Sequence, residues 1–140
     1  MKKYKARKGK FIYFLLFGLL LIPLISFWVD HEMIIERPWI MLPLISPVLL
    51  ILWILLDTSY AIEGEWLKYR SAFNKGKIDI RSITEIRKNE TMWVGLKPAI
   101  AKNGIILKYG KYDEIYLAPL DNDQMISDLK NINPLIKVSN

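Results

Sequence analysis

Side chains able to do chemistry are few in this chain, and they are scattered. It has no cysteine and a single histidine. Thiol nucleophiles, thiolate metal sites and disulfides are therefore absent together, a composition that suits a reducing compartment. His31 stands between Asp30 and Glu32, too small a set to hold a metal without ligands from elsewhere, and it reads as a solvated loop residue. Glu63 and Glu65 are two apart, a spacing that puts both carboxylates on one face of a strand, as an acid–base pair would require. No partner completes such a site, and neither a Gly-rich phosphate cradle nor an HExxH motif is present, so the pair reads as the solvated face of an edge strand and the chain as a non-enzyme without a cofactor. The best ligand-facing set is cationic: Arg81, Arg87, Lys88, Lys97 and Lys102, interleaved with Trp93. Against a membrane these cations would hold phosphate head groups while the indole enters the interface; away from one they are ordinary surface charge.

Two apolar runs must position everything else. Phe11 to Trp28 and Trp39 to Leu56 are each 18 residues without a charged side chain or histidine, and at 1.5 Å per residue each reaches about 27 Å, close to the thickness of a bilayer's hydrocarbon core. The remaining 84 residues after Leu56 cannot supply a core large enough to hide two helices apolar all round. A cleaved signal peptide is the competing account of the first run, and the bulky Phe27, Trp28 and Val29 in place of a small-x-small cleavage pattern argue for a retained span. Trp28, Trp39 and Trp53 suit an interfacial belt.

Charge sets the orientation. Lys2, Lys3, Lys5, Arg7, Lys8 and Lys10 precede the first run with no acid among them, whereas the connection 29–38 carries Asp30, Glu32 and Glu36 against Arg37 alone. Cations near a span stay inside, which predicts a cytoplasmic tail 1–10, spans 11–28 and 39–56, an outer loop 29–38, and a cytoplasmic domain 57–140 in a multi-pass protein of the cell membrane. The tail accounts for the whole net charge of +6; the other 130 residues hold 14 basic and 14 acidic side chains. A nucleic-acid partner is not implied, and attraction of the tail to anionic lipids is. Pro23, Pro43 and Pro47 interrupt the spans, but no ionisable residue lies within them and two helices enclose no solute path, which argues against transport. Gly18, Ser26 and Ser46 are points for close helix contact.

From Asp57 onward, short segments alternate with period two between Gly, Asn and Asp, the pattern of an antiparallel sheet. Strands are predicted around Tyr60–Ile62, within 65–71 and at Ile78–Ile80, with a turn at 74–77 and a helical turn or bulge between Ile80 and Glu85. The stretch 89–104 is poorly patterned. Segments 105–109 and 114–119 form a hairpin around Gly110–Asp113, burying Ile105, Leu107, Ile115 and Leu117. A helix over about 121–132 starts at an Asp121/Gln124 capping box with Leu120 packing on Met125, presents Met125, Ile126, Leu129 and Ile132 to the sheets, and stops at Asn133-Pro134.

Between Tyr60 and Ile136 the chain resembles the short bacterial pleckstrin-homology-like family typified by YyaB. The likeness is carried by Tyr60-Ala61-Ile62 with Leu67, by Ile78-Asp79-Ile80 with Ile83 and Ile86, and by Ile106-Leu107-Lys108-Tyr109-Gly110. Further along it rests on Ile115-Tyr116-Leu117-Ala118-Pro119, Asp128-Leu129 and Asn133-Pro134. Behind the two-helix transmembrane hairpin expected from the apolar runs, the resemblance implies a mainly-β PH-like domain: two antiparallel sheets, nearly orthogonal, with a C-terminal capping helix. The plan is also similar to that of the immunity protein made against a sublancin-type bacteriocin. The expected function is that of a membrane-anchored, non-enzymatic interaction module. Its expected partners are the bilayer and its anionic head groups, and a membrane protein or, in an immunity role, an antimicrobial peptide.

Overall fold

The computed structural model describes residues 1–140. Helix α1 (Lys10–Val29) and helix α3 (Met41–Asp57) pack along one another. A short helix α2 (His31–Glu36) and a 3-10 turn at Pro38–Ile40 join them. The loop expected at 29–38 is thus largely helical, because the Asp30 carboxylate accepts a hydrogen bond from the Met33 amide and caps α2. Both long helices are long and apolar enough to cross a membrane. Their surfaces have little protein cover: Phe11, Phe14, Phe17, Leu24, Leu42 and Leu49 are each at least 58% exposed, which in water would be a large uncompensated apolar area.

Eight strands make two sheets. The first contains β1 (Lys2–Lys5), β2 (Ser59–Glu63), β3 (Trp66–Ser71) and β4 (Asn74–Asp79), in that order. The second contains β5 (Ile83–Glu90), β6 (Gly104–Tyr109), β7 (Asp113–Leu117) and β8 (Lys137–Ser139), ordered β7-β6-β5-β8. All pairings are antiparallel except β5 with β8, a parallel edge strand the sequence pattern did not reveal. Helix α4 (Asn122–Ile132) buries Met125, Ile126 and Leu129 among side chains of both sheets.

The main departure concerns residues 1–10, expected as a free basic tail. Lys2–Lys5 is instead an edge strand antiparallel to β2, with Tyr4 opposite Tyr60. Tyr4 is only 7% exposed, and its phenol donates to Asp128 Oδ2 at 2.5 Å, beside the Lys2 ammonium at 2.6 Å. The chain stays attached beyond the strand: the Arg7 amide donates to Ala118 O, and Ala6 bridges to Pro119. One apolar residue among lysines is too little alternation to mark a strand, so only tertiary contact reveals it.

Turns account for the other differences. The turn expected at 74–77 lies at Ala72 and Phe73, with Ala72 at φ +52°. The Asp57 carboxylate holds it there by accepting from the Ala72 amide at 2.9 Å. Gly76 sits inside β4 opposite Tyr69, where a Cβ would lie 2.5 Å from the phenol oxygen. Between β4 and β5, both expected features occur, a 3-10 turn at Ile80–Ser82 and a bulge between Ile83 and Glu85. The Asn133 side-chain amide donates to Ile80 O and Ile83 O, tying the end of α4 to this turn. Ile105, Leu107, Ile115 and Leu117 are fully buried as the hairpin pattern required. Asp121 caps α4 through the Gln124 amide, but Leu120 is 64% exposed instead of packing on Met125; its own amide donates to Lys5 O, which ties its backbone to the first strand.

Candidate functional site

Residues 91–103, which sequence pattern left undefined, are held by two buried phenols. Tyr60 Oη donates to Pro98 O at 2.8 Å and accepts from the Ala118 amide at 3.1 Å. Tyr116 Oη donates to Ala101 O at 2.6 Å and accepts from the Gly104 amide at 3.0 Å. Burial pushes both phenols above their ordinary pKa, so each stays neutral and can donate and accept at once. The segment also touches the root of α1, because the Gly9 amide donates to Ile100 O immediately before Lys10 begins the helix. Trp93 and Val94 protrude from it, 76% and 87% exposed.

The six residues expected to form one patch divide into two groups. Arg81 pairs with Glu65 at 2.7 Å and Asp79 at 3.6 Å. Arg87 pairs with Glu114 at 3.1 Å and Glu90 at 3.4 Å, and Lys88 with Asp123 at 2.5 Å. Their charges are therefore already matched. Only Trp93, Lys97 and Lys102 come together: the two ammonium groups lie 5.9 and 5.6 Å from the indole centroid, and Lys97 also lies 5.5 Å from the Tyr116 ring, within cation–π range.

The carboxylate pair also separates. Gly64, at φ +59°, carries a two-residue hairpin loop between Glu63 and Trp66, leaving Glu63 at the end of β2 and Glu65 in the turn. Glu63 pairs with Lys68, whose hydrogen bond holds its carboxyl below the usual range, and Glu65 pairs with Arg81. His31 lies 6.4 Å from the Phe27 ring. No three His, Asp or Glu side chains cluster with metal-site spacing.

A more coherent surface lies on the outward face of the first sheet. Lys3, Ala61, Lys68 and Lys77 line up across its four strands, as do Lys5, Ser59, Arg70 and Lys75 in the next row. A groove of about 570 Å³ opens here, lined by residues of both rows together with Met1, Tyr60, Tyr69 and Gly76. Sequence reasoning missed it because one edge strand of the sheet is β1, taken for a tail.

The bacterial PH domain family model matches residues 58–133, from the end of α3 through α4 and over more than half of the chain. The chain belongs to the bacterial PH domain family. No curated protein and no solved structure matches it. In this bacterial PH domain, β1 and β8 lie outside the matched segment, so the strand that completes the first sheet is recruited from the far side of the helical hairpin.

Proposed function

We propose that this protein is a membrane-anchored, non-enzymatic interaction module whose PH domain is seated on the cytoplasmic leaflet. The reading is supported by how directly the helices run into the sheets. Asp57 ends α3 and Ser59 begins β2; between them Thr58 Oγ1 hydrogen-bonds Ile54 O and Ser71 Oγ. Asp57 itself pairs with Arg70 at 2.8 Å. The observation that carries the reading is an edge-on contact, 6.5 Å between centroids, of Phe73 in the β3–β4 turn with Trp53 of α3. Trp53 lies about one helical turn before Asp57, so the turn reaches down to the level of the span, where a 73% exposed Phe73 has lipid to meet. Pairing of β1 with β2 requires the residues before α1 and after α3 to share one side of the bilayer, and the six tail cations favour the inside. Seating raises the effective concentration of the domain for partners confined to the same surface.

The chain has no native cysteine, which makes single-thiol mapping direct. Phe73→Cys in proteoliposomes is expected to be shielded from a water-soluble maleimide, while Tyr112→Cys, at a position 85% exposed in the β6–β7 turn, reacts freely. Equal reaction at both positions would refute the seating. A second, narrower reading is kinship with YyaB-like proteins and a self-protection role, in which the protruding Trp93–Val94 tip would offer the apolar contact that intercepts a membrane-active peptide such as a sublancin-type bacteriocin. Expression in a sensitive strain should then raise resistance to one peptide and to no unrelated one.

A further inference from the structure

Asn103 is the only asparagine in the chain followed by glycine, and such a pair reacts without an enzyme. The main-chain nitrogen after an asparagine can attack the side-chain carbonyl carbon, Cγ, and a glycine leaves that nitrogen unshielded by any Cβ. Asn103 is exposed, with φ at +54°. Every hydrogen bond it makes is made by its main chain, so its carboxamide is free.

The main chain of this pair is held on all sides. The Gly104 amide donates to the buried Tyr116 Oη at 3.0 Å. One residue earlier, the Asn103 amide donates to Thr91 Oγ1 at 2.9 Å, and the Asn103 carbonyl accepts from Asn122 Nδ2 at 2.9 Å and from Arg7 Nη1 at 3.2 Å. Strand β7, the 91–103 segment, the start of α4 and the chain leading from β1 into α1 therefore all meet on one dipeptide. While Tyr116 holds the Gly104 N–H, that nitrogen can neither lose its proton nor turn onto Cγ.

We propose that Asn103–Gly104 is a self-modification site, a deamidation latch held shut by Tyr116. When the 91–103 segment opens, the Gly104 nitrogen gives its proton to solvent and attacks Asn103 Cγ. A bond forms between Gly104 N and Cγ, the bond from Cγ to Nδ2 breaks, and the displaced nitrogen takes up a proton and leaves as ammonia. Water then opens the resulting cyclic succinimide at either carbonyl, which leaves aspartate or isoaspartate at position 103. Isoaspartate lengthens the main chain by one carbon immediately before Gly104, where an added Cβ would already overlap Leu117 O and lie 3.0 Å from Ala118 Cα. It also takes the carbonyl shared by Arg7 and Asn122 out of the main chain. The segment cannot close again as before, so the site records an opening permanently. Its rate is the fraction of time spent open multiplied by the rate of an unstructured chain.

The test incubates the full chain in mild detergent at neutral pH and follows position 103 by peptide mass spectrometry, with a free synthetic peptide of residues 101–106 as the unrestrained reference. The wild type should convert far more slowly than the peptide, and its converted molecules should have lost amide protection at Gly104. Tyr116→Phe removes the acceptor for the Gly104 amide. Asn103 should then convert about 5–150-fold faster, the factor that a lost bond worth about 1–3 kcal/mol sets on the opening equilibrium, while Asn74 and Asn131 keep their wild-type rates. Thr91→Val frees only the Asn103 amide and should accelerate the same site by a smaller factor, which keeps the test open where Tyr116→Phe does not fold. Asn103→Gln, whose longer side chain closes a ring poorly, should abolish the acceleration. Equal rates in the wild type and the free peptide would show that there is no latch. Acceleration of Asn74 and Asn131 by the same factor would reduce the effect to global unfolding, and an unchanged rate in Thr91→Val and Tyr116→Phe would overturn the proposal. Converted wild-type molecules that keep Gly104 protected would overturn the permanence of the record.

Discussion

Removing one oxygen atom from Tyr60 should unfasten the 91–103 segment. The phenol is 1% exposed, and its two hydrogen bonds serve buried backbone groups, Pro98 O and the Ala118 amide. Tyr60→Phe keeps the ring and creates almost no cavity, so the change isolates the polar loss. A buried donor or acceptor left without a partner costs about 1–3 kcal/mol, and two of them, with partial relaxation, come to about 2–4 kcal/mol. Against the roughly 5–15 kcal/mol that holds a typical domain folded, that is a large fraction. Denaturant titration of the full chain in mild detergent should show a lower midpoint with an unchanged slope, and the Ala118 amide should exchange faster with solvent. A loss below about 0.5 kcal/mol would mean that water replaces the phenol without penalty, and the account of Tyr60 as a fastening for this segment would be wrong.

Two further perturbations test the packing of the two sheets. Hydrogen bonds from Lys2 and then Tyr4 hold the Asp128 carboxyl below its usual pKa. Its stabilisation of β1 is therefore fully present above the unfolded value of about 3.9 and is lost as pH falls through the lower folded value. Protection of the amides of residues 2–5 relative to the unfolded-chain exchange rate at the same pH should fall on acidification below about pH 4, and Asp128→Asn should remove that dependence. At Gly104, an added Cβ would overlap Leu117 O and lie 3.0 Å from the Ala118 Cα. Because both neighbours are backbone, Gly104→Ala should cost about 1–3 kcal/mol in the same titration.

Much of the fold could be read from pattern because local periodicity and burial agree there. Uncharged runs became α1 and α3, the 105–117 alternation became β6 and β7, and Asp121 with Gln124 marked the start of α4. Features set by distant partners were illegible. β1 depends on Tyr4 meeting Asp128, 124 residues away; the β3–β4 turn depends on Asp57 reaching Ala72; β8 pairs with β5 through only three residues. The candidate site suffered most, since residue type identified the cations but not their partners. Arg81, Arg87 and Lys88 proved to be matched by acids, while Lys3, Lys5, Lys75 and Lys77 form a surface only once four strands separated in sequence are assembled.

On the proposed membrane seating, the placement of β1 would couple assembly of the sheet to insertion of the hairpin. A ribosome releases Lys2–Lys5 before either helix and its partner Ser59–Glu63 after both, so with both helices spanning, the four-stranded sheet would close only when two crossings have returned the chain to its starting side. A chain with a single helix threaded would maroon the strand across the lipid and leave the β2 edge bare. The same logic governs any attempt to free the domain: a cut before Asp57 discards its first strand, and a soluble version would need residues 1–9 spliced directly onto β2.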